Sequence, residues 1–209
     1  MEARLAIAQY AGITVMFPAA LVVGLWLWCS TSRKATMLWG AAILLAYACV
    51  AVSKILYKGW GVGLGSIDIA VFSGHAMNAC LVSTVALSVL SSQLDVRLRW
   101  PAAILGLLMT WCFSVYFVAP YVHPLPEAIA GALIGSIAAC VFLYKLQALE
   151  LNPIPASSIV FGLLVVALCA SLPKYTAESL LNRVAVTMSG ASQAFKTPHQ
   201  LAATQFTRY

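Results

Sequence analysis

Six long apolar stretches, separated by short polar segments, are the feature that most restricts how this chain can fold. They cover Leu5–Cys29, Met37–Ser53, Ile69–Leu90, Trp100–Ala119, Glu127–Tyr144 and Ser157–Leu172. A helix needs about 20 apolar residues to cross the hydrocarbon core of a bilayer, and these stretches lack the alternation of membrane β-barrel strands. The sequence therefore predicts an all-α polytopic membrane protein, a six-transmembrane-helix bundle with antiparallel neighbours.

The composition excludes the soluble classes of protein. Of the 209 residues, 62% are hydrophobic and 9% are charged, with a formal net charge of +6. A soluble domain carries about 25% charged residues, so these charges cannot cover a surface that faces water. The basic residues are scattered between apolar stretches, so the expected partners are membrane lipids and no nucleic acid. The sequence carries no signal for an oligomeric state.

The pattern changes after the last apolar stretch. We predict a transmembrane domain over residues 1–174, followed by a C-terminal amphipathic segment and polar tail over residues 175–209. Within Thr176–Met188, three aliphatic side chains share one helical face, which is typical of a helix at the membrane surface. We interpret His199 as a solvated residue of the tail.

The charges of the short loops predict the orientation of the bundle. With six spans, loops 30–36, 91–99 and 145–156 lie on one side, and they carry Arg33, Lys34, Arg97, Arg99 and Lys145. On the other side, loops 54–68 and 120–126 carry only Lys54 and Lys58. Because positive loops remain in the cytoplasm, we expect the second set of loops and both termini to face outward.

Most polar residues that a membrane bundle does not explain lie on this outer face. Lys54 and Lys58 are four residues apart, so they share a helical face and either reach towards lipid headgroups or bind a phosphate. Ser73-Gly74-His75 opens the third span, where the free N–H groups of a helix N-terminus favour an anion. The alternative for His75 is a hydrogen bond between helices.

A second histidine pairs with a carboxylate at the start of the fifth span. Glu127 follows His123 by four residues and can orient its imidazole, as in a catalytic acid–base pair. Alternatively, Glu127 complements the helix dipole and His123 is an incidental loop residue. Two histidines, one carboxylate and two lysines on one face form a constellation suited to phosphoryl transfer. No motif indicates a metal, and we predict no cofactor.

These motifs resemble those of the type 2 phosphatidic acid phosphatase superfamily of integral membrane phosphatases. The resemblance covers about residues 50–145. It rests on Ser-Gly-His at 73–75, on His-Pro-Leu-Pro-Glu at 123–127 followed by Ala-Ile-Ala-Gly, and on Lys-Ile-Leu-Tyr-Lys-Gly-Trp-Gly from Lys54, which looks like a divergent bacterial branch. The resemblance implies a metal-independent enzyme that hydrolyses a lipid phosphate or diphosphate through a phosphohistidine intermediate.

The resemblance also implies a role for each matching residue. His123 would be the nucleophile, Glu127 would orient it in place of the usual Asp, and His75 would be the general acid. Ser73, Gly74 and Lys54 would bind the phosphate.

The sequence departs from the family at two positions that usually carry arginine. Gly61-Val62 stands where the first motif usually has Arg-Pro, and Tyr116-Phe117 stands where the third motif usually has Ser-Arg. Lys58 would supply one of the missing charges. Arginine and lysine differ in how they bind phosphate, so the anion site departs from that of the family.

Three functions are compatible with the sequence. The first is a lipid phosphatase of the bacterial inner membrane with its active site facing the periplasm. The second is a non-catalytic relative that binds lipid headgroups, which the missing arginines favour. The third is a small transporter component, which the clustering of polar residues at one interface disfavours, because transporters place such residues near the midplane.

Overall fold

The computed structural model describes residues 2–30, 33–119, 121–149 and 152–197, and these residues form helices joined by loops. The helices are α1 Glu2–Gln9, α2 Ile13–Cys29, α3 Arg33–Trp60, α4 Gly74–Ser91, α5 Val96–Val118, α6 Leu125–Leu146, α7 Ala156–Ser171 and α8 Glu178–Ser189. Leu64 and Ile69 pair as an isolated bridge within the loop between α3 and α4. His199 and the end of the predicted tail lie outside the described residues.

Five stretches of the described chain are long and apolar enough to cross a membrane. They are α3, α4, α5, α6 and the stretch Arg4–Cys29, which contains most of α1 and all of α2. The sixth predicted stretch forms α7, a shorter apolar helix of 16 residues. Leu44 and Leu45 of α3 are 69% and 70% exposed, as expected of side chains that contact lipid. The chain is an all-α polytopic membrane bundle, which confirms the predicted fold class.

The second span is longer than its hydropathy predicts. The apolar stretch ends at Ser53, but α3 continues to Trp60. The added turns carry Lys54 and Lys58, whose residues are only 9% and 3% exposed. Both lysines are buried against the protein, so this part of the predicted loop is the last two turns of α3.

The third span starts later than predicted, at Gly74 and not at Ile69. The Ser73 hydroxyl caps the helix by accepting a hydrogen bond from the Ala76 amide at 3.3 Å. Ser73 and the four residues before it form a non-helical approach to α4, with bends at Ala70 and Val71. This approach places the start of α4 beside the start of α6, where the Ser73 amide donates to the Glu127 carbonyl at 3.2 Å.

Two glycines of α6 allow this helix to pack closely against α4. A Cβ atom on Gly131 would lie 2.2 Å from the Ser73 carbonyl oxygen, and a Cβ on Gly135 would lie 2.3 Å from the Met77 carbonyl oxygen. Small residues four apart permit such backbone contact between membrane helices. This Gly-x-x-x-Gly pair therefore serves the close packing of α6 against α4.

We therefore expect Gly131→Ala to destabilise the bundle. The new methyl group must push α4 away from α6, and overpacking of this kind costs about 1–3 kcal/mol. Thermal unfolding of the protein in detergent should show a lower midpoint. Gly40→Ala is the matched control, because a Cβ at Gly40 meets no atom within 4 Å. Equal midpoints for the two variants would contradict this interpretation.

Candidate active site

A cavity of about 290 Å³ lies at the end of the bundle where α3 ends and where α4 and α6 begin. Six of the seven predicted site residues line it: Lys54, Lys58, Gly74, His75, His123 and Glu127. The seventh, Ser73, uses its hydroxyl to cap α4. The fold thus brings together residues that lie up to 73 positions apart in the sequence.

The His123–Glu127 pair is held rigidly. His123 Nδ1 lies 2.7 Å from Glu127 Oε2, and Glu127 is 2% exposed. The other carboxylate oxygen, Oε1, accepts hydrogen bonds from the amides of Ala70 and Val71, each at 3.2 Å. An ionised carboxylate only accepts hydrogen bonds, so beside it the imidazole donates from Nδ1, and in a neutral ring Nε2 then keeps its lone pair. The loop before α4 therefore fixes the carboxylate that orients His123.

The second imidazole lies across the cavity from the first. The ring centroids of His75 and His123 are 6.3 Å apart, and the ring planes are tilted by 54°. A single phosphoryl group can contact two rings at this separation. The position of His75 in the first turn of α4 and of His123 just before α6 explains why the two rings meet at the same end of the bundle.

The two lysines share a carboxylate that the sequence did not predict here. Glu178, the first residue of α8, pairs through Oε1 with Lys54 Nζ, and its Oε2 lies 2.8 Å from Lys58 Nζ. Burial alone would raise the pKa of the Glu178 carboxyl, but the two ammonium groups outweigh burial and lower its pKa to about 2. The carboxylate is therefore charged at any ordinary working pH, and it forms ion pairs with both lysines.

The segment that carries Glu178 covers the cavity and is fixed at both of its ends. Before α8, the Tyr175 amide donates to Thr14 Oγ1 at 2.8 Å, and Thr14 Oγ1 donates back to the Tyr175 carbonyl at 3.0 Å. Within α8, Ala185 packs against Gly59 of α3. A Cβ atom on Gly59 would lie 3.1 Å from the Ala185 carbonyl oxygen. The predicted amphipathic segment thus packs on the bundle and closes one side of the site.

Gly12 is a second residue that sequence analysis missed. It separates α1 from α2, and a Cβ at this position would lie 2.9 Å from the Gln9 carbonyl oxygen and 3.3 Å from His75 Nε2. The absence of a side chain lets the backbone approach the imidazole. A glycine between two apolar helices is a weak signal by itself, and only the three-dimensional contact with His75 identifies its role.

The positions that carry arginine in the resembling family do not face the cavity. Phe117 stacks on Phe113 with a centroid distance of 5.6 Å, and both line an apolar groove on the outside of the bundle with Tyr116. Gly61 has a φ of +71° and lies against the Phe195 ring. Lys54 and Lys58 are thus the cations that line the cavity among the described residues.

The site offers hydrogen-bonding and charged groups but no evident metal ligand set. Among the described residues, no three His, Cys, Asp or Glu side chains lie close enough together to hold a metal ion.

Comparison with known proteins gives one relative. A Klebsiella pneumoniae protein described as "Uncharacterized 22.5 kDa protein in cps region" is 32% identical over 139 residues, which cover 66% of this chain and 66% of the relative. The match thus spans just under two thirds of the relative's length, and its description assigns no activity. No protein-family model and no solved structure matches the chain.

Proposed function

We propose that this protein is a membrane-embedded phosphatase that hydrolyses a lipid phosphate or diphosphate through a phosphohistidine intermediate. The observation that carries the proposal is the arrangement of Glu127, His123 and His75 in one cavity, beside two lysines that already hold a carboxylate. A nucleophile, an orienting acid, a second imidazole and an anion site together can carry out phosphoryl transfer without a metal ion.

In the first step, His123 Nε2 attacks phosphorus. The N–P bond forms as the bond from phosphorus to the leaving oxygen breaks, and His75, which must be protonated for this step, gives its proton to that oxygen. The product is an alcohol, or a lipid monophosphate when the substrate is a diphosphate. Glu127 stabilises the positive charge that develops on the His123 ring, and Lys54 and Lys58 bind the phosphoryl oxygens.

In the second step, water attacks the phosphohistidine. His75, now neutral, takes a proton from the water as the new O–P bond forms and the N–P bond breaks. Inorganic phosphate leaves, and both histidines return to their starting protonation states. The same imidazole thus acts first as an acid and then as a base.

The dimensions and lining of the cavity suit a lipid headgroup. A cavity of about 290 Å³ holds a phosphate and its nearest atoms, but not long hydrocarbon chains. Apolar side chains, including Ile13, Val50 and Met77, complete its walls. A substrate with an anionic head in the cavity and its tails in the bilayer would match both environments. Phosphatidate, phosphatidylglycerol phosphate and polyprenyl diphosphates have this form.

An assay of the purified full-length protein in detergent tests the proposal. Phosphate release is measured from these three lipids with no metal added and with a chelator present. We expect turnover of at least one lipid and inhibition by orthovanadate. Absence of turnover with all three would contradict the proposal. Binding of inorganic phosphate without turnover would instead support the headgroup-binding alternative, which the absence of arginine among the described residues lining the cavity favours.

Gly12→Ala should reduce turnover without unfolding the bundle. The added methyl group would press on the Gln9 carbonyl and on His75 Nε2, displacing the acid. A displacement of about 1 Å in a reacting group can cost about 100-fold in rate, so we expect kcat to fall at least about 10-fold. Gly40→Ala serves again as the control. An unchanged kcat for Gly12→Ala would show that Gly12 does not position His75.

We further propose that the cavity faces the periplasm of a bacterial inner membrane, as the loop charges predict. In a cysteine-free background, Gly65→Cys should react with an impermeant thiol reagent on intact cells, whereas Leu94→Cys should not. Both positions are exposed, and a side chain at Gly65 meets no neighbouring atom within 4 Å. The reverse labelling pattern would place the site in the cytoplasm.

A further inference from the structure

The carboxylate of Glu178 sits where an anionic ligand of the two lysines would bind. One of its oxygens pairs with Lys54 and the other lies 2.8 Å from Lys58. Two oxygens of a phosphoryl group would make the same two contacts. Because both groups are negatively charged and would use the same contacts, binding of one disfavours binding of the other.

We infer that Glu178 is an internal competitor for the phosphoryl group, and that Tyr175–Leu181 is a lid that keeps the resting site closed. This inference rests on the proposed function. The lid residues Tyr175, Thr176, Ala177, Glu178 and Leu181 all line the cavity. An incoming headgroup must displace the carboxylate before its phosphorus reaches His123, so Glu178 weakens the apparent affinity of every anionic ligand.

The burial of the lysines explains why such a counter-ion is needed. Lys54 and Lys58 are 9% and 3% exposed and lie one helical turn apart, so two positive charges would face each other without it. Buried charges are costly unless they are paired. The Glu178 carboxylate neutralises one of the two charges, whereas a phosphoryl dianion neutralises both. This difference in charge favours the exchange of the carboxylate for the substrate.

The lid can release its carboxylate without detaching the whole segment. Residues 173–177 before α8 are not helical, and Glu178 begins the helix. The Tyr175–Thr14 hydrogen bonds and the contact of Ala185 with Gly59 hold the lid on both sides of Glu178. The Glu178 side chain is 35% exposed, so a path to water exists. Rotation of this side chain, with opening of the first turn of α8, frees both lysines.

Glu178→Gln tests the inference, because it removes the charge and keeps the shape. The full-length protein in detergent is assayed for the KM of phosphatidate and for inhibition by inorganic phosphate. We expect both constants to fall at least about 10-fold, since the competitor is lost. Asp68→Asn is the matched control, with the same charge change at an exposed residue on the same face of the bundle, and it should change neither constant. Unchanged or weaker phosphate inhibition in Glu178→Gln would overturn the inference.

Direct binding separates this inference from the proposed function. Calorimetric titration with inorganic phosphate is carried out on wild type and both variants. If wild type releases no phosphate from any lipid, the phosphatase proposal fails, but tighter phosphate binding by Glu178→Gln than by Asp68→Asn still supports the lid. Equal binding overturns it. If Glu178→Gln does not fold, Glu178→Asp replaces it. The shorter aspartate cannot contact both lysines equally well, so the Glu178→Asp protein should also bind phosphate more tightly than wild type.

Discussion

His123→Ala should lower kcat for phosphate release by at least about 10⁴-fold. The proposed reaction has no path that bypasses the N–P bond, and removal of a catalytic nucleophile leaves only the contribution of binding and charge stabilisation. The His123 side chain is largely buried, but among the described residues it hydrogen-bonds only to Glu127, so the bundle should remain folded. Turnover is measured with the lipid that wild type hydrolyses best.

Trapping of the intermediate provides an independent check. Wild type quenched during turnover of a ³²P-labelled lipid should carry an acid-labile, base-stable label, as expected of a phosphohistidine. His123→Ala should carry none. Thermal unfolding of both proteins shows whether the fold is retained. Turnover within about 10-fold of wild type would assign the nucleophile elsewhere, and label on the variant would do the same.

The sequence predicted the parts of the fold that depend on hydropathy. The apolar stretches identify the long helices because lipid exposure requires apolar side chains such as Leu44 and Leu45. The helix ends were predicted less well, because local hydrogen bonds set them. Residues before Gly74 are apolar enough to continue a helix, yet the amides of Ala70 and Val71 bind Glu127 instead. Hydropathy carries no information about such contacts.

The candidate site was predictable to the extent that its chemistry is unusual for a membrane span. His75, His123 and Glu127 stood out because an apolar chain rarely keeps ionisable groups without a use. Glu178 carries the same type of signal, as one of only six acidic residues. Its partners could not be predicted, because they depend on how the segment after α7 folds back onto Lys54 and Lys58.

The position of Phe117 also changes how the missing arginines are interpreted. From the sequence, an arginine at Phe117 would restore a charge to the site. In the structure, Phe117 stacks on Phe113 beside a groove on the outside of the bundle, so an arginine there would lie away from the cavity lining. The position follows from the register of α5, whose last turn, Ser114–Val118, is π-helical. A π-helical turn shifts the following side chains around the helix axis, which a motif spacing cannot reveal.

Glu127→Gln should lower kcat by about 10³–10⁴-fold while the fold stays intact. The Ala70 and Val71 amides both donate to Oε1, so the amide oxygen of glutamine must take that position. Its NH₂ group then faces His123 Nδ1 and can only donate a hydrogen bond. The imidazole proton therefore moves to Nε2, and the lone pair that attacks phosphorus is lost. An analogous change of acid to amide beside a catalytic histidine costs about 10⁴-fold in serine proteases.

Glu127→Asp distinguishes this tautomer effect from a general disturbance of the site. Aspartate is shorter, so it should loosen the contacts to Ala70 and Val71 more than glutamine does, and it should lower the unfolding midpoint further. It nevertheless keeps a carboxylate that accepts from Nδ1, so its kcat should exceed that of Glu127→Gln. A tautomer effect thus predicts opposite orders for stability and for turnover in the two variants. If kcat instead follows stability, Glu127 serves mainly to join the loop before α4 to α6, and its charge is not part of the chemistry.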